Sequence, residues 1–243
     1  MDIPFKLPGV IECFIGGAVL QADEVGESPC DVYGFARGND RFFLKTCPKI
    51  LAPTTYSVLR EARVLSWLSG RLSVPEVVMV ADSFDGEFMI SRCVPGVPLQ
   101  ALISEPALVL QLFRVALRQL QAVSIVDCPF DSGAEFRLSE LDYLLAHDLA
   151  EKYYELSEWP DLNTPQELMA HLRATLPGED RVFSHGDLRG ANVFVDAHDE
   201  LHCIDVGRGG VADRWLDMAI AQRFLRLDVS QNTARDLLKG LQA

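Results

Sequence analysis

Along the first ninety residues, apolar positions come in short runs that alternate with polar ones, as in "GGAVLQADEV" (16–25), "CDVYGFA" (30–36) and "RFFLKTC" (41–47). Turn residues bound these runs, among them "RGND" at 37–40, so the segment predicts antiparallel hairpins. Between Thr54 and Leu68 the period changes. Val58, Ala62, Leu65 and Leu68 recur at three- and four-residue spacing, which predicts one helix. "PEVVMVADSFDGEFMIS" (75–91) returns to the strand pattern on either side of Asp85-Gly86, and "RCVPGVPL" (92–99) has the prolines and glycine of an extended connector. From there to about Leu176 the chain reads as helical, most clearly in "PALVLQLFRVALRQLQAV" (106–123). The expected class is α+β in two parts: a small antiparallel β lobe with one helix over residues 1–92, and a larger, mostly helical lobe over 93–243.

Past the helical tract, "VFSHGDLRGANVFVD" (182–196) sets polar groups between two strand-like runs. Asp187 and Asn192 are separated by four residues, and Asp205 follows after the apolar "LHCI". This is the spacing of the H-R-D-x-x-x-x-N loop and D-F-G aspartate of protein kinases, with Gly186 in place of the arginine. Phosphoryl transfer needs such a set. The nucleotide's charge must be neutralised by Mg²⁺, which prefers oxygen ligands from a carboxylate and an amide, and a further carboxylate must take or orient the acceptor's proton. Asn192 and Asp205 suit the metal; Asp187 suits the acceptor. Upstream, Lys45 in "FFLKT" can meet nucleotide phosphates and Glu61 on the following helix can hold it. A strand lysine or helix glutamate alone is usually just solvated, so order and spacing carry this reading. In "GESPCDVYG" (26–34), Ser28 offers a hydroxyl and an N–H to a phosphate, although no Walker A GKS or GKT occurs.

Composition narrows the picture. With 243 residues, 49% of them hydrophobic, the chain can bury a large core. Six scattered cysteines show no CxxC pair and no His/Cys cluster at metal-ligand spacing, so neither a zinc site nor a disulfide framework is expected. No apolar run reaches the roughly 18 residues of a membrane span, and no signal peptide opens the chain, so a cytoplasmic protein without a membrane partner is expected. A net charge of −13 argues against a nucleic-acid partner. Twelve acidic residues against three basic ones between Asp131 and Asp180 place −9 in one segment, either a solvated helical face or a surface whose field attracts a cationic ligand.

In "GESPCDVY", "FFLKT", "VDCPFD", "RLSELDYLLAHDLAE", "VFSHGDLRGANVFV" and "IDVGRGGVADRWLDMA", in that order and over nearly the whole chain, the sequence resembles the aminoglycoside 3'-phosphotransferases that phosphorylate kanamycin and neomycin. The resemblance implies a protein-kinase-like fold, ATP or GTP as donor with Mg²⁺, Asp187 as base, Asn192 and Asp205 as metal ligands, and Lys45 with Glu61 as the phosphate-binding pair. It also implies that Phe43 stacks on the nucleotide base and that the Ser91 and Cys93 backbone hydrogen-bonds it. The cationic antibiotic would meet Glu158, Asp161 and Arg208. His185, Asp213, Arg214 and Asp217 are expected to brace the catalytic loop. The family's closing acidic pair and terminal aromatic have no match in "ARDLLKGLQA", so weaker antibiotic binding is expected, with the acidic 131–180 segment supplying a salt-dependent share. Two other readings stay open: a kinase of another small cationic or hydroxylated metabolite, and a kinase-like binding module without catalysis. A monomer or weak dimer is expected; Cys13 could in principle pair across chains.

Overall fold

Alternating strand residues in the first ninety positions build a twisted antiparallel sheet, backed on one side by a helix the sequence pattern did not announce. The computed structural model describes residues 6–23, 29–149, 161–176 and 178–239. In chain order come helix α1 (Gly9–Ile15), strands β1 (Gln21–Ala22), β2 (Asp31–Arg37) and β3 (Asp40–Pro48), helix α2 (Val58–Leu68), and strands β4 (Val77–Asp82) and β5 (Gly86–Arg92). The sheet order is β1-β2-β3-β5-β4, with every neighbour antiparallel. Among the described residues of the run 16–25, Gln21 and Ala22 are the two that pair as a strand. The expected helix from Thr54 begins instead at Val58, because Thr54 Oγ1 turns back to the Leu51 carbonyl (2.7 Å) and Ser57 becomes the cap.

Period-two alternation sends β3 side chains to opposite faces. Phe42 and Leu44 join Tyr33, Phe35, Phe88 and Ile90 beneath Ile11 and Ile15 of α1. The other face carries Phe43, Lys45 and Cys47, paired in register with Ser91, Met89 and Glu87 of β5, and it faces α2. Being covered on both sides explains why β5 is almost wholly buried.

The connector forms the short β6 (Val97–Pro98), followed by α3 (Pro106–Gln121), α4 (Ala134–Ala146) and α5 (Pro165–Thr175). Then come β7 (Arg181–Ser184), β8 (Val193–Val195), β9 (Leu201–Cys203) and β10 (Gly210–Asp213), and finally α6 (Trp215–Phe224) and α7 (Gln231–Lys239), joined by a π-helical turn at Leu225–Val229. β6, β8 and β9 form one small antiparallel sheet, β7 and β10 another. The architecture is α+β. Val64, Leu65 and Leu68 of α2 share a single core with Phe113 and Leu117 of α3, Phe183 of β7 and Val206, and Trp67 lies 5.3 Å from the Phe183 ring. Among the described residues no helix is long and apolar enough to cross a membrane, and the six cysteines are free thiols.

The start of α2 matters most, since this helix carries Glu61. Ser57 Oγ accepts the Arg60 N–H (3.1 Å) and donates to the buried Glu87 carboxylate (2.6 Å), which also accepts the Leu59 N–H (3.3 Å). Ser57→Ala removes the cap and leaves Glu87 short of a donor. Urea unfolding should show a loss of about 1–3 kcal/mol. A loss below about 0.5 kcal/mol would show that the cap is not limiting.

Candidate active site

Lys45 projects from the middle of β3 toward α2, and there it meets two carboxylates. Its Nζ donates to Glu61 Oε1 (2.8 Å) and Oε2 (3.1 Å) and makes a short contact with Asp205 Oδ1. The side chains of Lys45 and Glu61 are 15% and 10% exposed, whereas Asp205 keeps 45%, so the aspartate is the open face of the trio. Burial alone would push the Lys45 ammonium down, but Asp205 and Glu61 outweigh it and its pKa lies above the ordinary value. Burial raises Glu61 in spite of Lys45. For Asp205, burial works upward, yet the Lys45 charge and hydrogen bond hold it below the usual carboxylate range. Asp205 adopts a left-handed backbone (φ 57°, ψ 45°), a costly conformation for a non-glycine residue.

Arg60 of α2 ties this region together, its Nε donating to the Gly207 carbonyl (2.9 Å) and its Nη2 to the Gly209 carbonyl (3.0 Å). Glu61 and Asp205 are thereby set on Lys45 by one helix gripping the loop after β9.

The second half of the site is the loop from β7 to β8. Asn192, buried, donates through Nδ2 to the Asp187 carbonyl (2.9 Å) and to Asp187 Oδ2 (3.0 Å). Arg189 lies across the same carboxylate, with Nε 3.1 Å from Oδ1 and Nη2 3.2 Å from Oδ2. Behind the loop, the buried Asp217 carboxylate accepts the His185 N–H (2.7 Å) and the Gly186 N–H (2.8 Å). His185 bonds the Ile204 carbonyl through Nε2 (2.9 Å) and accepts the Asp187 N–H at Nδ1 (3.2 Å), so the histidine is a brace. Gly186 has φ 81°, and a Cβ there would strike the Arg208 carbonyl; no side chain fits. Arg137 donates to the Gly186 carbonyl (3.0 Å).

The structure thus brings Lys45, Glu61 and Asp205 into one contact and Asp187 and Asn192 into another, with Ile204 N–H donating to the Asn192 carbonyl (3.0 Å) between them. The donor set fits Mg²⁺: with its Nδ2 spent on Asp187, Asn192 has an amide oxygen to give, and Asp205 has a half-exposed carboxylate.

Phe43 shares the Lys45 face of β3, half-buried, with Gly34 directly across. Ser91 pairs with Phe43 in register. Cys93 needs a correction: its N–H donates to the Arg41 carbonyl (2.9 Å), so that amide is satisfied inside the sheet and is not a free donor for a base.

Ser28 and Glu158 lie outside the described residues. Asp161 is exposed ahead of α5, and Arg208 stacks over the Tyr56 ring (5.3 Å) with Nη2 3.3 Å from its hydroxyl. Several acids of the 131–180 segment are already spent: Arg173 pairs with Glu135 (3.2 Å) and Asp142 (2.8 Å), and Glu140 accepts the Thr55 N–H. Sequence reasoning missed Arg189, Arg60 and Arg137. Arg189 stands two residues after Asp187, a placement that could have flagged it; the other two bind carbonyls distant in sequence and gave no signal.

Comparison with known proteins agrees with this geometry. A model described as the phosphotransferase enzyme family matches residues 30–242. The aminoglycoside 3'-phosphotransferase of Acinetobacter baumannii is 40% identical over 241 residues, 98% of this chain and 93% of that protein. The crystal structure of an aminoglycoside-3'-phosphotransferase of type VIII superposes with a TM-score of 0.80 at 26% identity, covering 96% of this chain and 91% of that one. The aminoglycoside phosphotransferase APH(3'')-Id of Streptomyces rimosus, in complex with ADP and streptomycin, shares the fold with a TM-score of 0.73 at 21% identity, over 95% and 86% of the two chains.

The Lys45 cluster gives a pH signature. The lysine's pKa is raised from an unfolded value of about 10.4, so its contribution is fully present below that pH and is lost as pH rises through the folded value. Lys45→Met should cost on the order of 3 kcal/mol in urea unfolding near neutrality, since it strands Glu61 in the interior. The gap to wild type should narrow in the same measurement above about pH 10.5. A gap that stays flat or widens would mean the ammonium is not the stabilising charge.

Proposed function

The chain belongs to the phosphotransferase enzyme family, and from that premise we propose that it transfers the γ-phosphate of ATP or GTP to the 3'-hydroxyl of an aminoglycoside such as kanamycin. The observation that carries the reading is the double constellation itself, Lys45–Glu61–Asp205 beside Asp187–Asn192. The choice of acceptor rests on the aminoglycoside 3'-phosphotransferases that the chain resembles over nearly its full length. In this reading the fold is protein-kinase-like, with residues 1–92 as the nucleotide lobe and 93–243 as the catalytic and substrate lobe.

Each residue then has a task. Lys45, freed from part of its contact with Asp205, meets the α and β phosphates, and Glu61 keeps the ammonium in place. Phe43 stacks on the base in this reading, and the Ser91 backbone lies opposite it. Asn192 and Asp205 would hold Mg²⁺, which neutralises phosphate charge as the γ-phosphoryl transfers. Asp187 accepts the proton of the 3'-hydroxyl as the new O–P bond forms and the bond to the departing ADP or GDP breaks. The Arg189 guanidinium and the Asn192 amide hold that carboxylate in place by direct contacts to both of its oxygens. Asp161 and Glu158 attract the ammonium groups of the substrate, and Arg208 sits at the edge of the site.

Two measurements test the proposal. Mass spectrometry and NMR of the product made from kanamycin and ATP should place one phosphate on the 3' oxygen, and a 3'-deoxy aminoglycoside should bind without turnover. Phosphate on another hydroxyl would keep the family and overturn the regiochemistry. Asp187→Asn should lower kcat by about 10²–10⁴-fold while leaving nucleotide affinity intact. A drop below about tenfold would remove the base assignment.

A further inference from the structure

Beyond the phosphotransfer site, the hairpin that joins Asn192 to Asp205 holds a second group of polar side chains. Its turn spans residues 196–200. Asp196 Oδ1 accepts the N–H groups of His198 (2.8 Å) and Glu200 (3.0 Å), and the Asp196 N–H donates to the Glu200 carbonyl (3.0 Å). The carboxylate is thereby fixed, with Oδ2 standing 3.5 Å from Nε2 of His202. His202 is only 6% exposed. Its Nδ1 lies 2.7 Å from Ser73 Oγ, while Nε2 is buried and makes no hydrogen bond. The exposed Glu200 completes the group, so that one ligand atom each of Asp196, Glu200 and His202 lies within 4.8 Å of the others.

The buried Nε2 of His202 makes no close hydrogen bond and faces two carboxylates, with Asp196 Oδ2 at 3.5 Å, so a donor atom is held ready beside two others. We propose that Asp196, Glu200 and His202 form a binding site for a divalent cation of the Zn²⁺ type, separate from the Asn192–Asp205 pair. One imidazole and two carboxylates make a mixed N/O donor set, which suits zinc better than the all-oxygen preference of Mg²⁺. Two carboxylates and a neutral imidazole also balance a doubly charged ion. In this site the Ser73 hydroxyl oxygen, 2.7 Å away, would accept the Nδ1 proton and leave the Nε2 lone pair for the metal, filling the place of an outer hydrogen-bond partner. Around one tetrahedral zinc, with bonds of about 2.0–2.2 Å, neighbouring ligands lie roughly 3.3–3.6 Å apart. A small rotation of the exposed Glu200 side chain closes the observed span, and water takes the fourth position. Such an ion would clamp β8 to β9 and, through Ser73, to the loop following α2, whose carbonyl already accepts the Cys203 N–H (2.9 Å). The expectation of no zinc site rested on cysteine spacing, and cysteine takes no part here.

Calorimetric titration of the EDTA-treated full chain with ZnCl₂, without nucleotide, tests this. One site per chain with a micromolar Kd is expected. Glu200→Gln and His202→Gln should each weaken it at least tenfold, and Asp205→Ala should leave it unchanged. Glu200→Gln lies on an exposed turn and decides the matter if His202→Gln fails to fold. Zn²⁺ should raise the Tm of wild type and not that of Glu200→Gln, and Co²⁺ bound at the site should show no thiolate charge-transfer band. A wild type without a site tighter than about millimolar would overturn the proposal, leaving the 3.5 Å approach of His202 to Asp196 as a contact within the hairpin. Unchanged affinity in Glu200→Gln, or a thiolate band, would equally overturn it by placing the ion elsewhere.

Discussion

A lysine taken out of water is the constraint on which the rest of the arrangement depends. Lys45 is tolerable at its depth only because Glu61 and Asp205 reach it from two other segments of the chain, and the buried Glu61 carboxylate in turn depends on Lys45. The cluster therefore fixes the distance between the sheet, α2 and the loop after β9. Neighbouring interactions serve the same end. Ser57 and Glu87 set where α2 begins, Arg60 grips the carbonyls of Gly207 and Gly209, and the left-handed backbone of Asp205 turns its carboxylate inward. Strain at that one residue is offset by packing spread over three elements.

The opposite wall is held by a different device. The Asp187 loop is anchored from behind, its backbone amides drawn onto Asp217 and the Gly186 carbonyl onto Arg137. Gly186 lets the chain pass where a side chain would collide with Arg208. With its backbone tied down from behind, the loop can present Asp187 and Asn192 to the cleft in one geometry, and preorganisation of this kind is what transfer chemistry uses most. Arg189 adds a positive neighbour that pairs with the Asp187 carboxylate.

Much of this was legible in the sequence because it is local. Period-two runs gave β2 to β5, the four-residue gap between Asp187 and Asn192 is intrinsic to one loop, and the pairing of Lys45 with Glu61 follows from a strand feeding the next helix. What escaped was either too short to show a period or decided at long range. Helix α1 has two turns, starts with glycine and is identified only by the aromatic face it covers. The Cys93 amide is claimed by Arg41 across the sheet, which no reading of the connector alone could show. Charge counting over 131–180 could not know that Arg173 bridges Glu135 and Asp142. The group at 196–202 was visible as a sequence and passed over, because its register brings a glutamate and a histidine to an aspartate only once the hairpin closes.

The shared core around α2 has a consequence for control. A helix whose inner face meets Phe113 and Phe183, and whose Trp67 leans on Phe183, cannot swing outward without exposing several large side chains, at about 1.5–3 kcal/mol for each. In a protein whose glutamate sits on a loosely docked helix, displacing that helix breaks the lysine pair and silences the enzyme. Here the pair is built into the interior, so the same core that holds these elements together also holds Lys45 against Glu61.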